Sequence, residues 1–379
     1  MPTLQRVMHQ HFSEYQQTHK LPLYQLKGVS SLLKCRTEAM GGHALYCEEG
    51  HLNGYWYNSC GHRSCPQCGA LKKERWQRKV EGMLLDIPHH HWVFTLPHAL
   101  HDIWFYNREA CQKLLFASVR KTLQVLSADK QYLGATLGAI LSLHTWARNL
   151  TFHPHIHCLV THGGLSKDGW VEPKRKIQFP AKVMMELFRG KYLAGIKKLL
   201  NLGELVRPEG MSKAQLLSLL NRWGRQAWVV HCTKRYEHGS GVAKYLARYL
   251  RGGAIKNSQI LKCNNRVVKY RYWSHERQKQ ESLTLSSEQF VGRLLQHIAL
   301  PYKSQYQFMG LYHNRSRESL TRARVCHGQG EVDLKSEFTW RDFLSQQEKV
   351  SCCSECGGAL SRLRKLSRWE LDFKKSEIR

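Results

Sequence analysis

Five cysteines crowd into thirty-four residues near the start of this chain, Cys35, Cys47, Cys60, Cys65 and Cys68, and they constrain its fold most. The segment NSCGHRSCPQCG places Cys65 and Cys68 three apart, the turn spacing that presents two thiolates to one ion. Cys47 and His51 form a second closely spaced pair. The chain shows neither a leader-like apolar run near its N-terminus nor an apolar run of membrane-spanning length, which predicts a cytoplasmic protein. In that compartment the 13 cysteines read as metal ligands rather than disulfides. One grouping joins Cys47, His51, Cys65 and Cys68; Cys35, Cys60 and His62 then form a second, with His43 as a further candidate, so one or two Zn²⁺ are expected. A separate trio, Cys352, Cys353 and Cys356, forms half of a site near the other end.

The formal net charge is +29 over 379 residues. Such an excess repels itself unless a polyanion neutralises it, and nucleic acid does so with release of counterions. Tyr55, Trp56, Tyr57 and Arg63 lie among the cysteines, where aromatics either stack on bases or form the small core of the module. Arg63 is a candidate DNA contact.

The middle of the chain alternates strand-like and helix-like patterns. HHHWVFTLP reads as a strand that stops at Pro97. NREACQKLLFASVRKTLQVL has helical periodicity, LGAILSLHTW and HPHIHCLVTHGG read as adjacent strands, and two helices and the strand AWVVHC follow. The order β-α-β-β-α-β predicts an α+β fold with a ferredoxin-like antiparallel sheet. The reading divides the chain at 1–82, a cysteine-rich DNA-recognition module, 83–258, the sheet domain, and 259–379, a basic DNA-contact region. RVVKYRYW and NRSRESLTRAR mix basic and aromatic residues in that last part, and the tail LSRLRKLSRWELDFKKSEIR reads as helical.

Within HPHIHCLV, residues two apart on a strand share a face, so His155 and His157 aim together while Ile156 turns to the core. Paired imidazoles suit a divalent metal. His144 on the preceding strand is the favoured third ligand, with His91 and His153 as alternatives. In GVAKYLARYLRGG, Tyr245 and Tyr249 lie one helical turn apart on one face, flanked by Lys244 and Arg248, which carry charge suited to phosphate.

Together these motifs resemble the HUH endonucleases, and specifically the two-tyrosine rolling-circle transposases of the insertion-sequence ninety-one group. HPHIHCLV resembles their histidine pair, YLARYL their two-tyrosine helix, and NSCGHRSCPQCG their zinc-binding front module. The resemblance implies that Tyr245 and Tyr249 attack single-stranded DNA at the element ends and form a 5′-phosphotyrosine. It implies that His155 and His157 hold Mg²⁺ or Mn²⁺. No GxxxxGK[ST] loop is found, so any unwinding would fall to a host helicase or replication protein near the nucleoid. A plasmid or phage replication initiator would use the same chemistry. A zinc-dependent DNA-binding regulator would dispense with the tyrosines.

Overall fold

The computed structural model describes residues 2–174, 178–238, 253–274, 276–332, 338–339, 342 and 352–366. The chain opens with α1 (Leu4–Thr18) and α2 (Leu23–Lys34), followed by the hairpin β1 (Gly42–Cys47) and β2 (Leu52–Tyr57) and then α3 (Ala70–Met83). The Thr3 hydroxyl starts α1 by accepting from the Arg6 amide at 3.2 Å, replacing one of the partners a first helical turn lacks.

The central sheet is built from β3 (His89–Thr95), β4 (Gly138–Trp146), β5 (Phe152–Thr161) and β8 (Val230–Tyr236). Between β3 and β4 run α4 (His101–Tyr106) and α5 (Arg108–Ala128). A two-residue ribbon, β6 (Gly164–Leu165) and β7 (Trp170–Val171), precedes α6 (Ala181–Asn201) and α7 (Lys213–Gly224). Beyond β8 come β9 (Ile260–Cys263), β10 (Val267–Ser274), β11 (Lys279–Ser286), α8 (Ser287–Gln296), β12 (Tyr306–Gly310), α9 (Arg317–Cys326) and β13 (Leu360–Leu366). The boxes Ser212/Gln215 and Ser286/Gln289 cap α7 and α8, each side chain bonding the other's backbone amide.

The described sheet runs β12-β4-β5-β3-β8, every neighbouring pair antiparallel. Its two faces follow from strand alternation. On one, Trp92 and Phe94 of β3, Leu141 and Leu143 of β4, and Ile156 and Cys158 of β5 are buried beneath Leu115, Phe116 and Val119 of α5 and Met184, Phe188 and Ile196 of α6. On the other, Ile140 and Leu159 pack with Val80 of α3 and Leu320 of α9. The opposite end of that second face carries the histidines. Among the described residues, no helix is long and apolar enough to cross a membrane.

The packing cuts across the linear division at 82 and 258. Leu4, Val7, Met8, Val29 and Leu32 from the first helices share one core with Tyr270, Phe290 and Leu294. Strand β12 from the third part joins the edge of the central sheet beside β4. The expectation of a helical tail is corrected over its first seven residues, which are β13, paired antiparallel with β1 from Gly42↔Leu366 to Cys47↔Leu360, while the rest of the tail lies outside the described residues. Pairing with the edge of β1 satisfies the backbone as a helix would and also buries Leu366, so tertiary pairing overrides local pattern.

Candidate metal centre and cysteine clusters

Strand register builds the histidine site. In the β4–β5 pair, His144 stands opposite His155 and Ser142 opposite His157, while Leu143 and Ile156 oppose one another on the core face. The ligand nitrogens of His144, His155 and His157 all lie within 4.8 Å of one another. His155 Nε2 and His157 Nε2 are 3.0 Å apart. Two adjacent donors around an octahedral ion with bonds of ~2.1 Å sit ~3.0 Å apart, so this pair fits a hard divalent cation without rearrangement.

The imidazoles are kept neutral, the form that ligates. Burial pushes the pKa of His155 down to about 4. Burial, then the neighbouring His155, holds His144 well below the ordinary histidine range. Burial and then His144 do the same for His157. Outer partners orient the rings. His155 Nδ1 donates to the His153 carbonyl at 2.6 Å, which leaves Nε2 as the ligand atom. His157 Nδ1 meets His91 Nε2 at 2.8 Å, and His91 Nδ1 meets the Thr233 hydroxyl at 2.6 Å. Thr233 in turn donates to the His91 carbonyl at 3.2 Å. One set of tautomers satisfies these bonds, with His157 donating to His91 and His91 to Thr233. Ser142 Oγ, across from His157, is buried and has no hydrogen-bond partner among the described residues, so the pocket is polar where a ligated ion or its water would sit.

His153 contributes its carbonyl rather than its ring, and His91 touches the trio through His157. Sequence reasoning raised both only as alternative ligands. The signal for His91 was present in strand alternation, since His91, Val93 and Thr95 share the face of His155 and His157. Tyr245, Tyr249, Lys244 and Arg248 lie outside the described residues. Arg63 donates to the carbonyl of Lys303, so its guanidinium has an internal partner.

The cysteines group differently from the pairing drawn on the sequence. Cys35, Cys60, Cys65 and Cys68 form one cluster with all four sulfurs within 4.8 Å of one another. Cys60 and Cys68 Sγ are 3.6 Å apart, close to the ~3.8 Å edge of a tetrahedron with Zn–S bonds of ~2.3 Å. Hydrogen bonds from Cys60 and then Cys65 hold the Cys68 thiol well below its usual range, favouring the thiolate a metal needs. The cluster lies in the core shared by α1, α2 and α8. Cys47 and His51 are elsewhere, with Cys353 and Cys356. Neither His43 nor His62 belongs to either cluster, and the His62 ring instead accepts from the Ser64 amide at 3.2 Å.

Past the β4–β5 turn, Arg148, Tyr272, Trp273, Arg277 and Lys279 line an open groove, with Glu276 and Glu281 also on its wall. Trp273 is 44% exposed there.

Residues 7–96 match the family described as "Transposase zinc-binding domain". Residues 138–319, from β4 into α9, match the family described as "Putative transposase". The chain is 30% identical over 328 residues to "Putative transposase y4qJ" of Sinorhizobium fredii, covering 84% of this chain and 82% of that protein. It is also 30% identical over 300 residues to the transposase for insertion sequence element IS801 of Pseudomonas savastanoi pv. phaseolicola, covering 77% and 71%.

Proposed function

This chain belongs to the insertion-sequence ninety-one family of transposases, and from that premise we propose that it cuts and rejoins single-stranded DNA through a tyrosine. In this reading the central sheet is the ferredoxin-like core of an HUH endonuclease. The order β8-β3-β5-β4 supports it, since in chain order the four strands read 4-1-3-2 with helices on the crossovers. The observation that carries the proposal is the convergence of His144, His155 and His157 at one end of that sheet, neutral and at ligand distances. They would hold Mg²⁺ or Mn²⁺, which supplies the positive charge that polarises a scissile phosphate.

The hydroxyl of Tyr245 or Tyr249 attacks phosphorus. A tyrosyl O–P bond forms as the P–O3′ bond breaks, and the proton passes to the departing 3′ oxygen. One phosphodiester is exchanged for another, so the reverse attack by a 3′ hydroxyl rejoins strands without ATP. Two tyrosines let one hold a cut end while the other cuts again, with Lys244 and Arg248 countering phosphate charge. The flanks of the tyrosine segment support this assignment. Thr233 of β8, just before it, bonds His91, and Ile255, just after it, shares a core with Leu150 in the β4–β5 turn. The basic, aromatic groove past that turn suits a single strand, whose backbone meets arginine and lysine while bases stack on Trp273.

The test mixes the purified chain with labelled single-stranded DNA carrying the element's ends and Mn²⁺, and reads a denaturing gel. A covalent adduct is expected, lost in the Tyr245→Phe/Tyr249→Phe double variant and in His155→Ala. Tight binding without adduct on any end or metal would replace this reading with a zinc-dependent DNA-binding regulator.

A further inference from the structure

We propose that Cys47, His51, Cys353 and Cys356 form a second zinc site, assembled from the two ends of the chain, that clasps the C-terminal segment into the front module. The matched zinc-binding domain ends at residue 96 and so contains only half of this ligand set. The four ligand atoms lie within 4.8 Å of one another, drawn from segments about 300 residues apart. Cys356 and Cys47 Sγ are 3.6 Å apart, His51 Nδ1 is 3.4 Å from Cys47 Sγ and 3.7 Å from Cys353 Sγ. These separations match the edges of a small tetrahedron with bonds of ~2.0–2.3 Å, and exceed the ~2.05 Å of a disulfide.

The surroundings are those of a thiolate pair. The Asn53 side-chain amide donates to Cys353 Sγ at 3.0 Å, and the Glu355 amide donates to the same sulfur at 3.4 Å. The His51 amide donates to Cys47 Sγ at 3.3 Å. Asn53 also accepts from the Ser354 amide at 2.8 Å, fixing the Cys353–Cys356 turn against the β1–β2 hairpin. Gly357 follows that turn at φ 72°, a left-handed conformation that favours glycine, and the chain then enters β13.

A second observation fits such a clasp. Among the described residues, the sheet β13-β1-β2 clusters buried Ala44 with Leu366, and Tyr46, Tyr55 and Tyr57 partly cover them. A metal staple adds to what so small a cluster supplies. Leu366 arrives on the C-terminal strand itself. The zinc ligands and the missing core residue therefore come in together, and the third strand is part of the module's architecture.

The test measures zinc per chain in the full-length protein, together with hydrogen exchange of the β1 and β2 amides. Cys353→Ser/Cys356→Ser should hold one zinc fewer than the unaltered chain and lose protection at 42–57, with protection of β4 and β5 unchanged. Cys47→Ser should do the same. Cys352→Ser, whose sulfur is outside the cluster, should retain the full zinc content. Equal zinc content in the double variant would overturn the proposal. So would a Cys47–Cys356 disulfide found by mass in protein purified without reductant and with its full zinc complement. Neither result bears on the tyrosine reaction, which the adduct assay tests separately.

Discussion

Replacing His91 with phenylalanine isolates the support of the histidine site from its ligands. Phenylalanine keeps a ring of similar size on β3 but removes the Nε2 acceptor that His157 Nδ1 meets at 2.8 Å. It also ends the bond to Thr233 at 2.6 Å. His157 is then free to turn about its side-chain torsions, and its Nε2 loses its preset position 3.0 Å from that of His155. Loss of an outer partner of this kind weakens metal binding about 10–100-fold, which is about 1.4–2.8 kcal/mol. The assay is Mn²⁺ titration of DNA-free protein by calorimetry or by electron paramagnetic resonance. His153→Ala serves as the control, because the His153 carbonyl, not its ring, holds His155, and its affinity should stay within about 2-fold. An unchanged Mn²⁺ affinity in a folded His91→Phe protein would refute the orienting role. A loss as complete as that of His157→Ala would make His91 a direct ligand instead.

Other outcomes follow from the same geometry. His144→Ala should weaken Mn²⁺ binding by more than about 100-fold, beyond the outer-partner range, and a smaller loss would remove it from the ligand set. Ile156, fully buried between the two histidines, faces the core, so Ile156→Ala should cost about 2–5 kcal/mol in urea unfolding and Ile156→Val about 0.5–1.5. If the alanine variant unfolds at the unaltered midpoint, the strand is not packed as described. Acid should destabilise the fold before the carboxylates titrate. Burial pushes the pKa of His89 down to about 4 from 6.5, so between those values the unfolded chain binds more protons. This contribution, about 3 kcal/mol at most, is fully present above 6.5 and is lost as pH falls toward 4. The urea midpoint should therefore drop as pH falls from about 6.5 toward about 4, with other buried histidines such as His155 adding to the loss, and a flat profile would show that these imidazoles titrate near their ordinary value.

What the sequence by itself determined were the features that local chemistry dictates. Strand alternation alone put His155 and His157 on one face with Ile156 on the other. Helical periodicity marked out α5 and α6, and the cysteine spacings announced metal before any partner was known. The family was legible because these motifs recur in one order along the chain. Tertiary structure decided what no local pattern encodes, namely which distant segments meet. The β4–β5 register brings His144 opposite His155, and β8 brings Thr233 to His91. A C-x2-C turn states that an ion is held but not which second pair completes it. The sequence reading therefore paired Cys47 and His51 with Cys65 and Cys68, whereas the fold sets them beside Cys353 and Cys356. Residues 360–366 looked helical because their pattern was read without the open edge of β1, whose hydrogen bonds make them a strand. Pairing across hundreds of residues is settled by burial and backbone hydrogen bonding in the assembled chain, and those exist only once it has folded.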